Sequence, residues 1–381
     1  MDFALTPAQQ ELQTAAIRFA QDELSDDLAA RDEQSVFWHE GWKRCAQFGV
    51  QGLPIAPEHG GGGCDLVTTI AVMEGLGYGC RDQGLLFSIN AHMWTNSIPI
   101  QRFGSDEQKR KYLPRLCDGS LIGANGASEP ESGSDVYAMR TRAVRDGDDY
   151  VINGTKMFVT NGQIADVIVA YATINPEWGA AGITGFIIEK GFPGVHAGKA
   201  LHKMGLRTSP MSELIFDNCR VPVANRLGRE GRGVDVFNCS MEWERSCILA
   251  TCLGTMRRQL EQCLAYARTR KQFGQPIGRY QSVSNKIVDM KLRLETARML
   301  VYQIGWMRQN GKAADLEAAM AKLYTSESFV QSCLDAVQIH GGYGYMAEFP
   351  FERELRDAVG STIYSGTSEI QRNIIAKRLG L

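Results

Sequence analysis

The sequence of 381 residues lacks three features that would each point to a particular class of protein. Its net charge is only −2, so no excess of positive charge marks a protein whose main partner is nucleic acid or an anionic membrane surface. No apolar run approaches the roughly 20 residues that span a bilayer. The first segment has the amphipathic pattern of a helix starting at Thr6 and Pro7, and is unlike a signal peptide or an arginine-rich transit peptide. We therefore expect a cytoplasmic protein without nucleic-acid or membrane partners.

The ten cysteines lack the spacing of a metal site or a redox motif. Four of them have no C-x-x-C partner: Cys45, Cys64, Cys80 and Cys117. Cys247 and Cys252 lie on one predicted helix, but no histidine stands beside them at zinc-ligand spacing. We expect reduced, mostly buried thiols in a reducing compartment, and no metal site.

Changes in the pattern of apolar residues and turn residues divide the chain into three predicted domains. Residues 1–119 read as helices, residues 120–230 as short β-prone runs separated by turns, and residues 231–381 as long helices. The predicted fold class is α+β, with an N-terminal α-helical domain, a central β-barrel or sandwich domain and a C-terminal helical bundle. Within the β region, the pair Asn153–Gly154 predicts a hairpin turn. One continuous helix is predicted from about residue 233 to 269.

Small residues and hydroxyls dominate the segment "GANGASEPESGSD", which runs from Gly123 to Asp135. Such a segment lets backbone N–H groups approach a planar or anionic ligand closely. Taken alone, a segment of this composition is more often a plain surface loop.

Six ordered segments resemble signatures of the acyl-CoA dehydrogenase family and together cover nearly the whole chain. They are "ASEPESGSD", "INGTKMFVTNG", "MGLRTSPMSELIFDNCRVP", "TRKQFGQPIG", "QIHGGYGY" and "GTSEIQRNIIA". The resemblance implies the family fold, with a central β-domain and a C-terminal four-helix bundle, usually assembled as a homotetramer. It also implies that FAD binds between the β-domain and the bundle, with part of a neighbouring subunit, and that the protein is an oxidoreductase acting on CH–CH bonds.

The resemblance also implies a set of cofactor-binding residues. They are Ser128, Ser134, Phe158, Thr160, Arg270, Phe273, Gln281, Gln338, Gly341, Gly342, Thr367 and Glu369. Phe158 stands where the family often has a tryptophan against the flavin, and an aromatic ring keeps the flat apolar face. Arg270 and Gln281 resemble residues that reach the FAD of a second subunit, and a planar guanidinium suits pyrophosphate oxygens. His340 stands at a position that varies in the family, so we expect no catalytic role for it.

The position of the catalytic base is the unusual feature of this sequence. Many family members carry a glutamate immediately before Gly-Thr-Ser, where this chain has Ser365. Other members, such as isovaleryl-CoA dehydrogenases, carry it on the first long helix of the bundle before an arginine, and here Glu244 precedes Arg245. Removal of a weakly acidic thioester α-proton needs a carboxylate of matched basicity, while the hydride goes to flavin N5.

The helical pattern supports the same choice of base. Glu244, Ile248 and Thr251 would lie on one apolar face of a single helix, where burial raises the pKa of a carboxyl group. The alternative for Glu244 is an ion pair with a nearby arginine. Glu242 is expected to project elsewhere, to the surface or toward the tail of the substrate.

The substrate implied by the resemblance is an acyl thioester of CoA or of an acyl or peptidyl carrier protein. The predicted substrate contacts are Ser134, Arg245, Ser365 and Gly366, and the N–H of Ser365 could donate to the thioester carbonyl. Several segments look most like the dehydrogenases that oxidise prolyl groups on carrier proteins in secondary metabolism. Lys377 stands where many CoA-users have an arginine, which slightly weakens the case for CoA.

Two alternatives accompany the leading interpretation of an FAD-dependent acyl-thioester dehydrogenase that passes electrons to an electron-transfer flavoprotein. One is an oxidase of the same fold that uses oxygen directly. The other is a flavin-binding protein without activity, which Ser365 favours and Glu244 argues against.

Overall fold

The first part of the chain is helical in the computed structural model, which describes residues 4–24 and 27–381. Its α-helices are α1 (Pro7–Glu23), α2 (Leu28–Gln34), α3 (His39–Gln47), α4 (Leu66–Gly79), α5 (Gln83–His92), α6 (Ile98–Phe103) and α7 (Asp106–Cys117). The predicted start of α1 is confirmed: Thr6 is the N-cap, Pro7 is the first helical residue, and Thr6 and Gln9 form a reciprocal capping box. A π-helical turn, Met93–Ser97, joins α5 to α6.

The middle part forms one eight-stranded sheet. Its strands are β1 (Gly123–Gly126), β2 (Arg142–Asp146), β3 (Asp149–Thr160), β4 (Val167–Thr173), β5 (Ile183–Glu189), β6 (Val195–Ala197), β7 (Met211–Pro222) and β8 (Arg226–Leu227). The order is β6-β7-β3-β2-β4-β5-β8, and β1 pairs in parallel with β4. Because both faces of β4 are covered, all seven of its residues are buried.

The predicted hairpin turn at Asn153–Gly154 is wrong. These residues lie inside the continuous strand β3, where the register against β7 shifts between Ile152 and Gly154. A Cβ atom on Gly154 would lie 2.4 Å from the Thr141 hydroxyl, so the glycine permits a close approach between neighbouring strands. The hairpin between β2 and β3 turns instead at Gly147, whose φ is +62°.

The last part is a helical bundle. Its helices are α8 (Gly233–Cys247), α9 (Ala250–Thr269), α10 (Gln281–Gln309), α11 (Asp315–His340), α12 (Gly342–Tyr345), α13 (Phe351–Gly360) and α14 (Ser368–Arg378), and a short hairpin, β9 (Lys271–Gln272) with β10 (Gln275–Pro276), precedes α10. The single helix predicted over 233–269 is therefore two helices. Leu249 has ψ of 0°, and the Thr251 hydroxyl donates to the Ile248 carbonyl at 3.3 Å, which competes with the helical pattern at this point.

Two clusters of buried apolar side chains stabilise the three parts. The larger runs through both helical parts and includes one face of β4 and β5, so the sheet and the bundle share a core. The smaller lies within the sheet region. All ten cysteines fall within the described residues and are free thiols, as predicted. None of the described helices is long and apolar enough to cross a membrane.

The element boundaries lie near the predicted domain limits. Helix α7 ends at Cys117 and β1 begins at Gly123, while β8 ends at Leu227 and α8 begins at Gly233. The division into domains 1–119, 120–230 and 231–381 stays a prediction about units of folding; residues 1–3, 25 and 26 of the first unit lie outside the described residues.

A buried ion pair attaches the loop at 127–135 to the sheet. Lys156 of β3 is fully buried, and its ammonium lies 2.7 Å from Glu129 Oε1. The same carboxylate accepts hydrogen bonds from the backbone N–H groups of Arg140 at 2.6 Å and Thr141 at 3.0 Å. The Lys156 ammonium contributes most to holding the pKa of Glu129 below its usual range, against the opposing effect of burial. Because every partner is on the sheet side, Glu129 fixes the loop that carries Ser128 and Ser134.

We predict that Glu129→Gln lowers the free energy of unfolding by about 3–5 kcal/mol, because the buried Lys156 charge loses its counter-ion. The measurement is denaturation by urea, followed by circular dichroism. Glu131→Gln is the matched control, since the Glu131–Arg140 ion pair of the same loop is largely exposed and should contribute about 1 kcal/mol or less. Equal losses in the two variants would contradict the assigned role of Glu129.

Candidate active site

One large cavity, of about 1230 Å³, lies between the sheet, α8 and the turn before α14. The predicted site residues that line it are Ser128, Ser134, Phe158, Thr160, Glu244, Arg245, Ser365, Gly366 and Thr367. These positions are far apart in sequence, and the shared core of the sheet and the bundle brings them together. The structure therefore places the predicted base and all predicted substrate contacts around a single space.

A second cavity, of about 790 Å³, lies at the opposite end of α9 and α11. It is lined by the predicted residues Arg270, Phe273, Gly341 and Gly342, and none of these lines the large cavity. Gln281, Gln338 and Glu369 line neither cavity within one chain and are solvent-exposed. The predicted cofactor residues thus form two separate groups in one copy of the chain.

His340 belongs to the second cavity and has a structural role. It is buried, its ring stacks on Phe351 with centroids 3.8 Å apart, and its Nδ1 lies 2.8 Å from the Ala336 carbonyl oxygen. Burial lowers the pKa of this histidine. It does not line the cavity that contains Glu244, which agrees with the expectation that it is not catalytic.

The sheet side of the large cavity presents an exposed aromatic ring. Phe158 lies where the pairing of β3 with β7 shifts between Lys156 and Val159, and its φ is +58°. This irregularity turns the side chain into the cavity, where it is 60% exposed. Thr160 ends the same strand and lines the cavity beside it. A flat apolar face next to a hydroxyl fits the isoalloxazine ring of FAD.

The glycines of the second cavity also fit part of that cofactor. A Cβ atom on Gly341 or Gly342 would meet nothing within 4 Å, so the backbone there is open to a close ligand. Phe273 is 94% exposed, and the Arg270 guanidinium lies 6.0 Å from the centre of the Tyr343 ring. An exposed arginine among aromatic rings suits a pyrophosphate and an adenine.

Glu244 lies on α8 with its carboxylate in a largely apolar setting. The residue is 7% exposed and lines the large cavity. Among the described residues, no arginine or lysine nitrogen lies within 4.0 Å of its carboxylate, so the ion pair considered as the alternative is not formed. Burial raises the pKa of Glu244 from its ordinary 4.5 to about 7, and Ser365, Arg245 and Lys322 offset part of the increase.

The predicted orientation of this part of α8 needs two corrections. Thr251 belongs to α9, so the argument that it shares a helical face with Glu244 fails at the break after Cys247. Burial of the two residues is nevertheless as expected. Glu242 lines the same cavity as Glu244 and accepts a hydrogen bond from Arg308 Nη1 at 3.3 Å, so it does not project elsewhere, while the predicted contact with the tail of the substrate stays a prediction.

A strained turn faces Glu244 across the cavity wall. Ser365 has φ of +59° and Gly366 has φ of +91°. The Ser365 carbonyl accepts hydrogen bonds from Arg245 Nε and from Gln371 Nε2, both at 3.1 Å. Within the described part of the chain, the N–H groups of Ser365 and Gly366 have no acceptor. The Gly366 carbonyl also accepts a hydrogen bond from Gln371 Nε2, at 2.9 Å. Because both carbonyls are held in this way, the two free N–H groups can serve an oxygen atom in the cavity.

Sequence reasoning missed the opposite wall of the cavity. Phe87, Ala91 and Thr95 line it at four-residue intervals along α5 and the π-helical turn. Tyr364 completes this wall, and its ring centroid lies 4.7 Å from that of Phe87. The spacing of the three positions is visible in the sequence, but an apolar helical face looks the same whether it contacts protein or ligand.

A polar contact between α8 and the short helical turn Val136–Ala138, which precedes β2, was also missed. The Tyr137 hydroxyl donates to Asn238 Oδ1 at 2.8 Å, and both residues line the cavity. Tyr137 follows the predicted ligand-binding loop Gly123–Asp135 by two residues. Its position in the sequence could therefore have indicated that it lines the same site.

Comparison with known proteins gives a consistent picture. Three family models match the chain: the acyl-CoA dehydrogenase N-terminal domain over residues 6–120, the middle domain over 124–219 and the C-terminal domain over 231–380. The chain is 44% identical to the L-prolyl-[peptidyl-carrier protein] dehydrogenase of Serratia sp., a match that covers 100% of this chain and 99% of the relative.

Two solved structures are also very similar. The prolyl acyl carrier protein oxidase AnaB superposes with a TM-score of 0.98 at 52% identity, covering 99% of this chain and 100% of the other. A structure described as PigA with FAD and proline has the same TM-score of 0.98 at 44% identity, covering all of both chains.

Proposed function

Because the chain belongs to the acyl-CoA dehydrogenase family, we propose that it is an FAD-dependent enzyme that dehydrogenates an acyl thioester between its α- and β-carbons. The observation that carries this proposal is Glu244, a buried carboxylate without a counter-cation that faces the cavity lined by Phe158 and Thr160. In the proposed reaction, Glu244 removes the α-proton as a general base. Phe158 and Thr160 would hold the isoalloxazine ring of FAD, which would supply the acceptor for the hydride from the β-carbon.

The turn at Ser365 supplies the second requirement of the reaction. As the α-proton leaves, negative charge develops on the thioester oxygen, and N–H donors directed at that oxygen stabilise the transition state. We propose that the free N–H groups of Ser365 and Gly366 donate to it. Arg245 supports the turn from behind by its hydrogen bond to the Ser365 carbonyl. This role needs no particular side chain at position 365.

We propose a prolyl group on a carrier protein as the substrate. The relatives named for that substrate are 44% and 52% identical to this chain. The wall formed by Phe87 and Tyr364 supports the choice, since two aromatic rings close the acyl end and leave room for a compact ring more readily than for a long chain. The cavity also reaches Lys377 and Arg378 of α14, which gives the phosphopantetheine arm a basic exit.

The assembly and the electron acceptor belong to the same proposal. Two groups of cofactor residues on opposite ends of one chain are best explained if a neighbouring copy completes each FAD site, as in a homotetramer. Because AnaB is described as an oxidase, oxygen is a second candidate for the acceptor beside an electron-transfer flavoprotein. Oxygen uptake during turnover, with and without the flavoprotein, separates the two.

We predict that Glu244→Gln retains bound FAD but reduces the rate of flavin reduction by prolyl carrier protein by at least about 10³-fold, since an amide cannot accept the α-proton. Anaerobic stopped-flow absorbance measures the rate. Glu242→Gln is the matched control, because it changes a carboxylate of the same helix and cavity that is already hydrogen-bonded to Arg308. Near-normal reduction by the Glu244 variant would remove this residue from the mechanism.

The rate of flavin reduction by the unmodified enzyme should depend on one ionisation with an apparent pKa of about 7, the value for Glu244. Only the carboxylate form accepts a proton, so the second-order rate constant should rise with pH through this value and level off above it. The measurement is the same reduction experiment across a pH series. A rate that falls as pH rises through neutrality would oppose the assignment.

Shortening Phe87 should change substrate selection. We predict that Phe87→Ala raises kcat/KM for a hexanoyl thioester by about 10-fold and lowers it for the prolyl thioester, because the acyl end becomes longer and the small ring loses contact. Phe48→Ala is the control, since Phe48 lies outside the cavity and stacks on Phe19. Parallel changes for both substrates would rule out a selective role for Phe87.

A further inference from the structure

A buried lysine lies behind the proposed base. Lys322, on α11, has no solvent exposure at all, and its Nζ has no protein acceptor within hydrogen-bonding distance among the described residues. No carboxylate of the described residues lies within 4.0 Å of its Nζ. Lys156, in contrast, is equally buried but paired with Glu129. A buried and unpaired ammonium costs several kcal/mol, so its presence needs an explanation.

The fold brings this lysine close to the cavity that contains Glu244, because Ala318, one turn earlier on α11, lines that cavity. Helix α11 packs against both α8 and α14, the two helices that hold the walls around Glu244 and the Ser365 turn. Burial, with a smaller contribution from Arg245 of α8, lowers the pKa of Lys322 to about 8, against the raising effects of Glu244 of α8, Glu369 of α14 and Glu327 of its own helix, so the ammonium form predominates at neutral pH. Glu327 is already paired with Arg372 at 2.7 Å, and Glu369 is exposed to solvent. Of these three carboxylates, Glu244 is therefore the one that is both buried and without another ion-pair partner.

The groups around Glu244 leave Lys322 a distinct electrostatic role. Arg245, on the same helix, directs its guanidinium Nε to the Ser365 carbonyl. Tyr364 and Tyr171, from the turn before α14 and from β4, are neutral phenols whose pKa values are raised by burial. Among the described groups on elements other than α8, Lys322 is the cation that lowers the pKa of Glu244, by less than the Ser365 hydroxyl and Arg245 do.

We propose that Lys322 is a positioning residue whose buried positive charge keeps Glu244 ionised at neutral pH, and that it acts without touching the substrate or the cofactor. Burial alone would leave too little of Glu244 in its ionised form at neutral pH. A positive charge fixed at a distance offsets this effect of burial, and it does so without a close ion pair that would immobilise the base. The same arrangement leaves the carboxylate oxygens free for the α-proton. This inference rests on the proposed function of Glu244.

The test compares variants of Lys322 in the flavin-reduction experiment. We expect Lys322→Met and Lys322→Gln to raise the apparent pKa of flavin reduction by about one pH unit, and hence to slow reduction about 10-fold at pH 6, where the rate depends on the ionised fraction. The plateau rate at high pH should change little. Lys322→Arg should restore the original profile, because it retains the charge.

A stability measurement separates this role from a structural one. Replacing an unpaired buried charge by methionine should leave the melting temperature unchanged or raise it, whereas loss of a structural contact would lower it. Thr325→Val is the matched control: Thr325 is buried one turn further along α11, and its hydroxyl is also unpartnered, but it carries no charge. Its pH profile should match that of the unmodified enzyme.

Three results would overturn the inference: unchanged profiles in both neutral variants, the same shift in Thr325→Val, or loss of folding in Lys322→Met. These results differ from failure of the proposed function, which would appear as normal activity in Glu244→Gln.

Discussion

The proposed active site depends on the desolvation of a single carboxylate. Glu244 is 7% exposed, and no lysine or arginine of the part of the chain that the structure describes forms an ion pair with it, so burial shifts its pKa toward neutrality. A base with an ordinary pKa of 4.5 would be too weak for a thioester α-proton, whereas one paired tightly to arginine would be weaker still. The packing of α8 against the sheet, the turn and α11 is therefore part of the chemistry, because each of these contacts excludes water from the same carboxylate.

The backbone around the cavity carries unusual conformations for the same purpose. Among the described non-glycine residues with positive φ, Phe158, Leu206 and Ser365 line the large cavity, and Phe273 lines the second cavity. Such conformations cost of the order of 1 kcal/mol each, and they persist where the surrounding structure fixes them. At Ser365, Arg245 and Gln371 hold the carbonyl oxygen. At Phe158, the strands on either side fix the irregular pairing. Binding functions thus coincide with local strain.

Some of this arrangement could be predicted from the sequence and some could not, for physical reasons. The burial of Glu244 was predictable because Ile248, one turn further along, belongs to an apolar stripe. The role of Glu244 as the base stays a prediction. The turn at Asn153–Gly154 was mispredicted because a local hairpin signal was overridden by pairing of β3 with the distant strand β7. Lys322 gave no signal, since a lysine on a helix usually faces solvent, and only tertiary packing of α11 buries it.

The location of the base on α8 has a consequence for the range of substrates. A carboxylate on a loop can follow substrates of different shape by backbone movement, but one in the middle of a helix packed on several sides is fixed in space. Any molecule processed here must bring its reactive carbon to that fixed point. Selectivity then arises from alignment of the carbon skeleton, so a poor substrate could occupy the cavity fully and still remain unreacted.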